Sequence, residues 1–208
     1  MSKSVLLLGA SGRTGRLVLR LALDGGHRVT ALVRSEKRLA DAPDSRLTKV
    51  VGEACDPATL RQLVPGHDVV VSTLGPRWPT RAAAAVYPDS AAAFVPAMEE
   101  AGVRRLLVTS SALLFEQRTC TAWLLRRAVP SVVHGAASME AVVRRSDLDF
   151  TLVRTSFLDD SDDPAHRLGV DALPDAPGSV SRLAVARYLL SQIEAEEGHR
   201  RRVVGLCR

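Results

Sequence analysis

Residues 5–16 read VLLLGASGRTGR, an aliphatic run of strand length that breaks into three regularly spaced glycines, Gly9, Gly12 and Gly15. Leu17, Val18, Leu21 and Ala22 follow at helical spacing, and Gly25 and Gly26 end that pattern. A buried strand that turns through glycines directly into a helix is the opening half of a βαβ unit, and few other folds accommodate it. The glycines have distinct tasks in such a turn. The first permits the tight bend, the second lets backbone approach a pyrophosphate, and the third lets the helix pack closely on the strand.

The remaining chain repeats the alternation. Strands are predicted over residues 4–8, 27–33, 47–51, 69–72, 105–110, 150–153 and 203–206, and helices over 13–24, 59–63, 89–101, up to 146, and 182–194. The strand segments are near-continuous apolar runs, as expected where a sheet is covered on both faces. Right-handed crossovers then give a doubly wound parallel sheet, an α/β fold in three α/β/α layers. The 208 residues suit a single domain, 1–208, with no internal repeat or low-complexity linker. Residues 159–179, dense in Asp, Pro and Gly, are expected to be a loop at the sheet's rim.

Composition narrows the function classes. No apolar run approaches the length of a membrane span, and the N-terminal stretch lacks the pattern of a cleaved leader, so a cytoplasmic protein without membrane partners is expected. Cys55, Cys120 and Cys207 are odd in number and far apart, which favours reduced thiols over a disulfide framework or a metal site. The net charge is +5, yet the arginines are scattered and do not interleave with aromatics. Nucleic acid is therefore not the expected partner, and part of the charge is free to meet an anionic small molecule.

The second strand ends in Val33-Arg34-Ser35, where an acid would select a free ribose 2′-hydroxyl and an arginine a 2′-phosphate. Arg34 can form charge-assisted bonds to a phosphate, Ser35 adds a hydroxyl, and Arg13 can reach the same phosphate from the glycine turn. These residues predict NADP(H), with NADPH preferred over NADH.

Taken together, GASGRTGRLV (9–18), GHRVTALVR (26–34), VVGEACDPATL (50–60), DVVVSTLG (68–75), GVRRLLVTSSALLF (102–115), SDLDFTLVR (146–154) and SRLAVARYLL (181–190) carry a family resemblance over nearly the whole chain. The sequence resembles the atypical short-chain dehydrogenase/reductases of the NmrA-like and biliverdin reductase B (flavin reductase) type, a Rossmann-like NAD(P)-binding group. The resemblance implies that Gly9, Ser11, Gly12, Arg13 and Thr14 line the diphosphate, with Gly15 completing the cofactor turn, and that Arg34 holds the adenosine phosphate. It places Glu53 and Ala54 at the adenine, Thr73, Leu74 and Gly75 along the cofactor ribose, and Arg154 with Thr155 beside the nicotinamide. Glu53 stands where the family normally has Asp.

The larger short-chain reductases use a Tyr-x-x-x-Lys pair for proton exchange with a carbonyl. Here Tyr87 and Tyr188 are followed four residues later by Ala91 and Gln192, so that pair is absent. Ser111, after the fifth strand, matches the serine that the biliverdin reductase B type presents beside the nicotinamide, with Ser110 an adjacent alternative. His134 falls near the position of the missing element and is a candidate proton donor. Trp78, Phe115 and Trp123 are candidate substrate contacts, and residues 112–138 a candidate lid over an aromatic acceptor. The resemblance implies an NADPH-dependent reductase that passes hydride to a flavin, quinone or related conjugated small molecule. A non-catalytic NmrA-like NADP(H) sensor and a cofactor-dependent isomerase or ketoreductase are the alternatives. Monomer and homodimer both remain open.

Overall fold

The computed structural model describes residues 1–39, 44–116 and 120–208. In chain order the elements are β1 (Ser4–Leu8), α1 (Arg13–Asp24), β2 (Arg28–Val33), β3 (Leu47–Val51), α2 (Pro57–Leu63), β4 (Val69–Ser72), α3 (Arg81–Ala84), α4 (Val86–Ala101) and β5 (Arg105–Ser111). They continue with α5 (Cys120–Ala128), α6 (Pro130–Arg145), β6 (Asp149–Thr155), β7 (Leu158–Asp159), β8 (Arg167–Val170), β9 (Val180–Ser181), α7 (Arg182–Glu194) and β10 (Arg202–Cys207). The main sheet runs β3-β2-β1-β4-β5-β6-β10-β8, parallel except for β8, which lies antiparallel on β10.

Alternate residues of the central strands feed two separate cores. Val5 and Leu7 join the cluster formed with α1 and α7, whereas Leu6 and Leu8 join the one formed with α2, α4 and α6. Helix α1 packs beside α7 on one face, and α4 packs beside α2 and α6 on the other. Both faces are therefore apolar, which explains strands that show no hydrophobic alternation.

Local chemistry sets the helix ends. Asp56 caps α2 by accepting from the Ala58 and Thr59 amides, and Pro57 occupies the first helical position, where its missing N–H costs nothing. Ser181 caps α7 by accepting from Ala184 N at 2.9 Å. Helix α4 starts at Val86, earlier than the predicted residue 89, because Pro88 falls in the first turn, where proline is tolerated.

One further expectation is corrected. The rim segment 159–179 is not loop throughout: β8 forms within it as an edge strand, and two-residue β7 pairs with β9 around it. The candidate lid 112–138 comprises a 3₁₀ turn over Ala112–Leu114, α5 and the first half of α6, with residues 117–119 outside the described residues. Helix α6 is fixed to the domain, since a Cβ at Gly135 would lie 2.7 Å from Ala84 O. No helix among the described residues is long and apolar enough to cross a membrane.

Candidate functional site

Strand order reverses between β1 and β4, and the crevice outside their C-terminal ends is where ligands of open α/β sheets bind. Gly9, in the bend after β1, has φ +87°, and a Cβ there would meet Thr73 Oγ1 at 2.9 Å. Gly15 is required by contact: its Cβ would fall 2.1 Å from Gly9 O and 2.8 Å from Thr73 Oγ1. Gly12 N donates to Gly9 O at 2.9 Å, and Gly12 is the N-cap of α1 with an extended backbone. Thr73 locks the turn from β4, its N–H donating to Leu8 O at 3.0 Å and its hydroxyl to Leu8 O at 3.2 Å.

Helix α1 begins without a side-chain cap and with no acid in its first turn. The opening amides of a helix need a partner, and the dipole favours an anion there. A diphosphate fits that cradle, with Ser11, Gly12, Arg13 and Thr14 around it.

Along the same edge of the sheet, Gly52 N donates to Val33 O at 3.0 Å, so the ends of β2 and β3 lie together. That brings exposed Arg34, half-buried Ser35 and exposed Glu53 to one corner, with Ala54 packed against the second core. Arg34 has no ion-pair partner among the described residues. Arg13 does: its Nη1 lies 2.7 Å from Asp160 Oδ2, while Arg182 Nη1 lies 2.6 Å from Asp160 Oδ1. The expected phosphate ligand in the glycine turn is thus tied to the rim segment through a shared carboxylate.

Beyond the turn, a cavity of about 340 Å³ opens. Thr14, Thr73, Leu74 and Gly75 line its cofactor side, Trp78 and Tyr87 one wall, and Thr109, Ser110 and Thr155 another. Leu158 and Val185 bring the rim and α7 to it.

Several predicted residues stand elsewhere. Ser111 does not line the cavity; its hydroxyl accepts from Leu113 N at 3.3 Å and caps the 3₁₀ turn. Ser110 lines the cavity and donates to Glu140 Oε1 at 2.7 Å. Arg154, expected beside the nicotinamide, forks onto Glu140 at 2.9 and 2.7 Å, and its guanidinium lies 4.5 Å over the Phe115 ring. Glu140 is only 3% exposed, and Arg144 is its third partner at 3.4 Å. His134 is exposed on α6, not in a loop, and does not line the cavity. Trp123, on α5, is 55% exposed, has Arg127 5.2 Å over its ring, and also lies outside the cavity lining.

Sequence reasoning missed Glu140, Asp160 and Tyr87. A lone Glu in an apolar helix face, EAVV at residues 140–143, is the one signal that could have pointed to a buried ion pair. No lysine follows Tyr87 at the fourth position, yet α4 turns it into the cavity wall. Burial pushes its hydroxyl pKa up to about 12. Tyr188 is buried on α7 with its hydroxyl 2.9 Å from His199 Nδ1, away from the cavity.

A family model described as NAD(P)H-binding matches residues 9–196. Among curated proteins, the Photosystem II assembly factor Ycf39 of Synechocystis is 39% identical over 67 residues, 32% of this chain, and the match spans only 21% of the relative. Among solved structures, a short-chain dehydrogenase/reductase of Veillonella parvula in complex with NADP superposes with a TM-score of 0.78 at 24% identity, covering 100% of this chain and 95% of that one. ChuY, an anaerobillin reductase of Escherichia coli O157:H7, gives 0.75 at 21% identity over 98% and 96% of the two chains. These likenesses establish the Rossmann-like fold. With the family pattern running from the glycine turn through α7, the chain belongs to the NAD(P)H-binding family.

Proposed function

We propose that the protein is an NADPH-dependent reductase that delivers hydride to a flavin, quinone or related conjugated small molecule. The observation that carries the reading is the continuity between the uncapped start of α1 and the 340 Å³ cavity, whose lining among the described residues contains hydroxyls, aromatic rings and Arg77 but no lysine. Bound NADPH would supply the hydride. The chain's own part is to hold the phosphates at α1 and Arg34, to fix the acceptor against Trp78 and Tyr87, and to exclude water with the rim. Ser110, whose proton is committed to Glu140, presents lone pairs to the cavity and so accepts hydrogen bonds from the bound molecules. The NADP complex of the Veillonella structure and the reductase name of ChuY support the reading.

A dinucleotide-sensing regulator is the second reading, and the specific observation in its favour is α5. Trp123 and Leu124 are 55% and 63% exposed there, outside the cavity, where a partner protein could cover them.

Titration with NADPH and NADH, followed by oxidation of NADPH against a panel of flavins and quinones, separates these readings. NADPH is expected to bind more tightly than NADH. A charge-assisted hydrogen bond is worth about 1.5–3 kcal/mol, so Arg34→Ala should shrink the preference by about tenfold or more. Equal affinities in the wild type overturn the NADP(H) assignment, and NADPH binding without turnover across the panel selects the sensor.

A further inference from the structure

Tyr87 is 8% exposed in the first turn of α4, and a methyl group at Gly75 would come within 3.5 Å of its hydroxyl. Both residues line the cavity. The other buried hydroxyls of the lining are engaged: Ser110 donates to Glu140, and Thr155 donates to Ser110 O at 3.4 Å. The Tyr87 hydroxyl has no hydrogen-bond partner among the described residues. Buried tyrosine hydroxyls almost always have one. His27 Nε2 is the only side-chain nitrogen or oxygen among the described residues that is sealed from solvent without a hydrogen-bond partner. The Tyr87 oxygen is therefore open to the cavity, a donor held for something that enters it.

We propose that Tyr87 is the catalytic proton donor, binding and protonating the carbonyl oxygen of the acceptor, and that the substrate class is accordingly a conjugated carbonyl compound such as a quinone or an enone. The inference rests on the reductase reading. In an enone, the hydride supplied by NADPH forms a C–H bond at the β-carbon, and the displaced π pair moves to the carbonyl oxygen. The Tyr87 O–H bond breaks as the substrate O–H bond forms, and water at the cavity mouth returns a proton to the phenolate. The acceptor gains one hydride and one proton, and NADPH leaves as NADP⁺. Burial keeps the hydroxyl protonated at neutral pH, as a donor must be, and the O–H bond to substrate forms as negative charge develops on the carbonyl oxygen. Tyr87 thus supplies, from α4, the function that the absent Tyr-x-x-x-Lys element supplies elsewhere.

Tyr87→Phe tests the assignment because it removes an unpartnered hydroxyl and keeps the ring. Its thermal unfolding midpoint should match that of the wild type, since the hydroxyl opens to the cavity and makes no hydrogen bond within the protein. Two readouts follow. Steady-state NADPH oxidation compares menadione with methylene blue, which accepts hydride without a carbonyl oxygen at the reduced centre; the ratio of the two rates should fall about 100-fold in the variant. Quenching of tryptophan fluorescence measures menadione binding to the NADP⁺-loaded protein, where no reduction occurs; affinity should weaken about tenfold.

The outcomes separate the two layers of argument. Menadione reduced by wild type and variant with equal kcat and KM overturns the Tyr87 assignment and leaves the reductase. No turnover by wild type with any acceptor, alongside weaker menadione binding by the variant, removes the reductase and proton transfer but retains Tyr87 as a ligand for oxygen. No turnover and equal binding remove both.

Discussion

At the scale of single residues, the three glycines of the opening turn are not equivalent. A Cβ at Gly15 would stand 2.1 Å from Gly9 O, between backbone and helix, where neither side can yield cheaply. A Cβ at Gly12 would meet only Gly9 O, at 3.2 Å. Gly15→Ala is expected to strain the α1 packing by about 1–3 kcal/mol, lowering the thermal midpoint by roughly 2–12 °C in a chain of this size. Gly12→Ala is expected to leave the midpoint nearly unchanged and to weaken NADPH binding, because a methyl there would crowd a diphosphate held at the start of α1. Calorimetric unfolding and cofactor titration on both variants check the division. Gly12 acting through stability, or Gly15 through affinity alone, would contradict it. The serines are likewise distinguished by a single position: strand pleating sends Ser110 toward Glu140 and the cavity, and leaves Ser111 to cap the next turn.

At the scale of elements, two ion-pair clusters join segments far apart in sequence, and burial gives them different consequences. Glu140 ties α6 to β5 through Ser110 and to β6 through Arg154, a side chain only 12% exposed. Removing the carboxylate leaves that guanidinium uncompensated, so Glu140→Ala should destabilise the fold by about 3–5 kcal/mol in urea unfolding. A loss below about 1 kcal/mol would mean that water reaches Arg154. By contrast, the contact between Arg13 and Asp160 is exposed at both ends, and such pairs are worth about 0–1 kcal/mol. Asp160 also holds Arg182, whose side chain is only 11% exposed, so Asp160→Asn should lower stability by about 1–3 kcal/mol, while Arg13 becomes available to a 2′-phosphate. The expected result is NADPH binding up to about fivefold tighter, with NADH unaffected. Weaker NADPH binding would instead show that Asp160 orients Arg13 for the phosphate.

At the scale of the whole molecule, most of the architecture was legible because the chain's rhythm is physical. Apolar runs bounded by turn residues form strands wherever they can be buried on both faces, and the helical spacing of 13–24 and 182–194 supplies the covering layer. The edge strand β8 was not legible. Its burial pattern is mostly exposed, and it is defined by pairing with β10, more than thirty residues later. The glycine turn and the crevice at the strand ends could be inferred from sequence because their chemistry is local or fixed by parallel topology. Tyr87, Glu140 and Asp160 could not, since a tyrosine without a lysine and acids on a helix or rim carry no local mark. Sequence by itself determined a parallel α/β domain with a dinucleotide turn at its first crossover, through spacing, propensity and the freedom of glycine. Tertiary structure alone decided which hydroxyl is left without a partner in the cavity and which carboxylates hold the arginines, because burial and pairing arise only when distant elements meet.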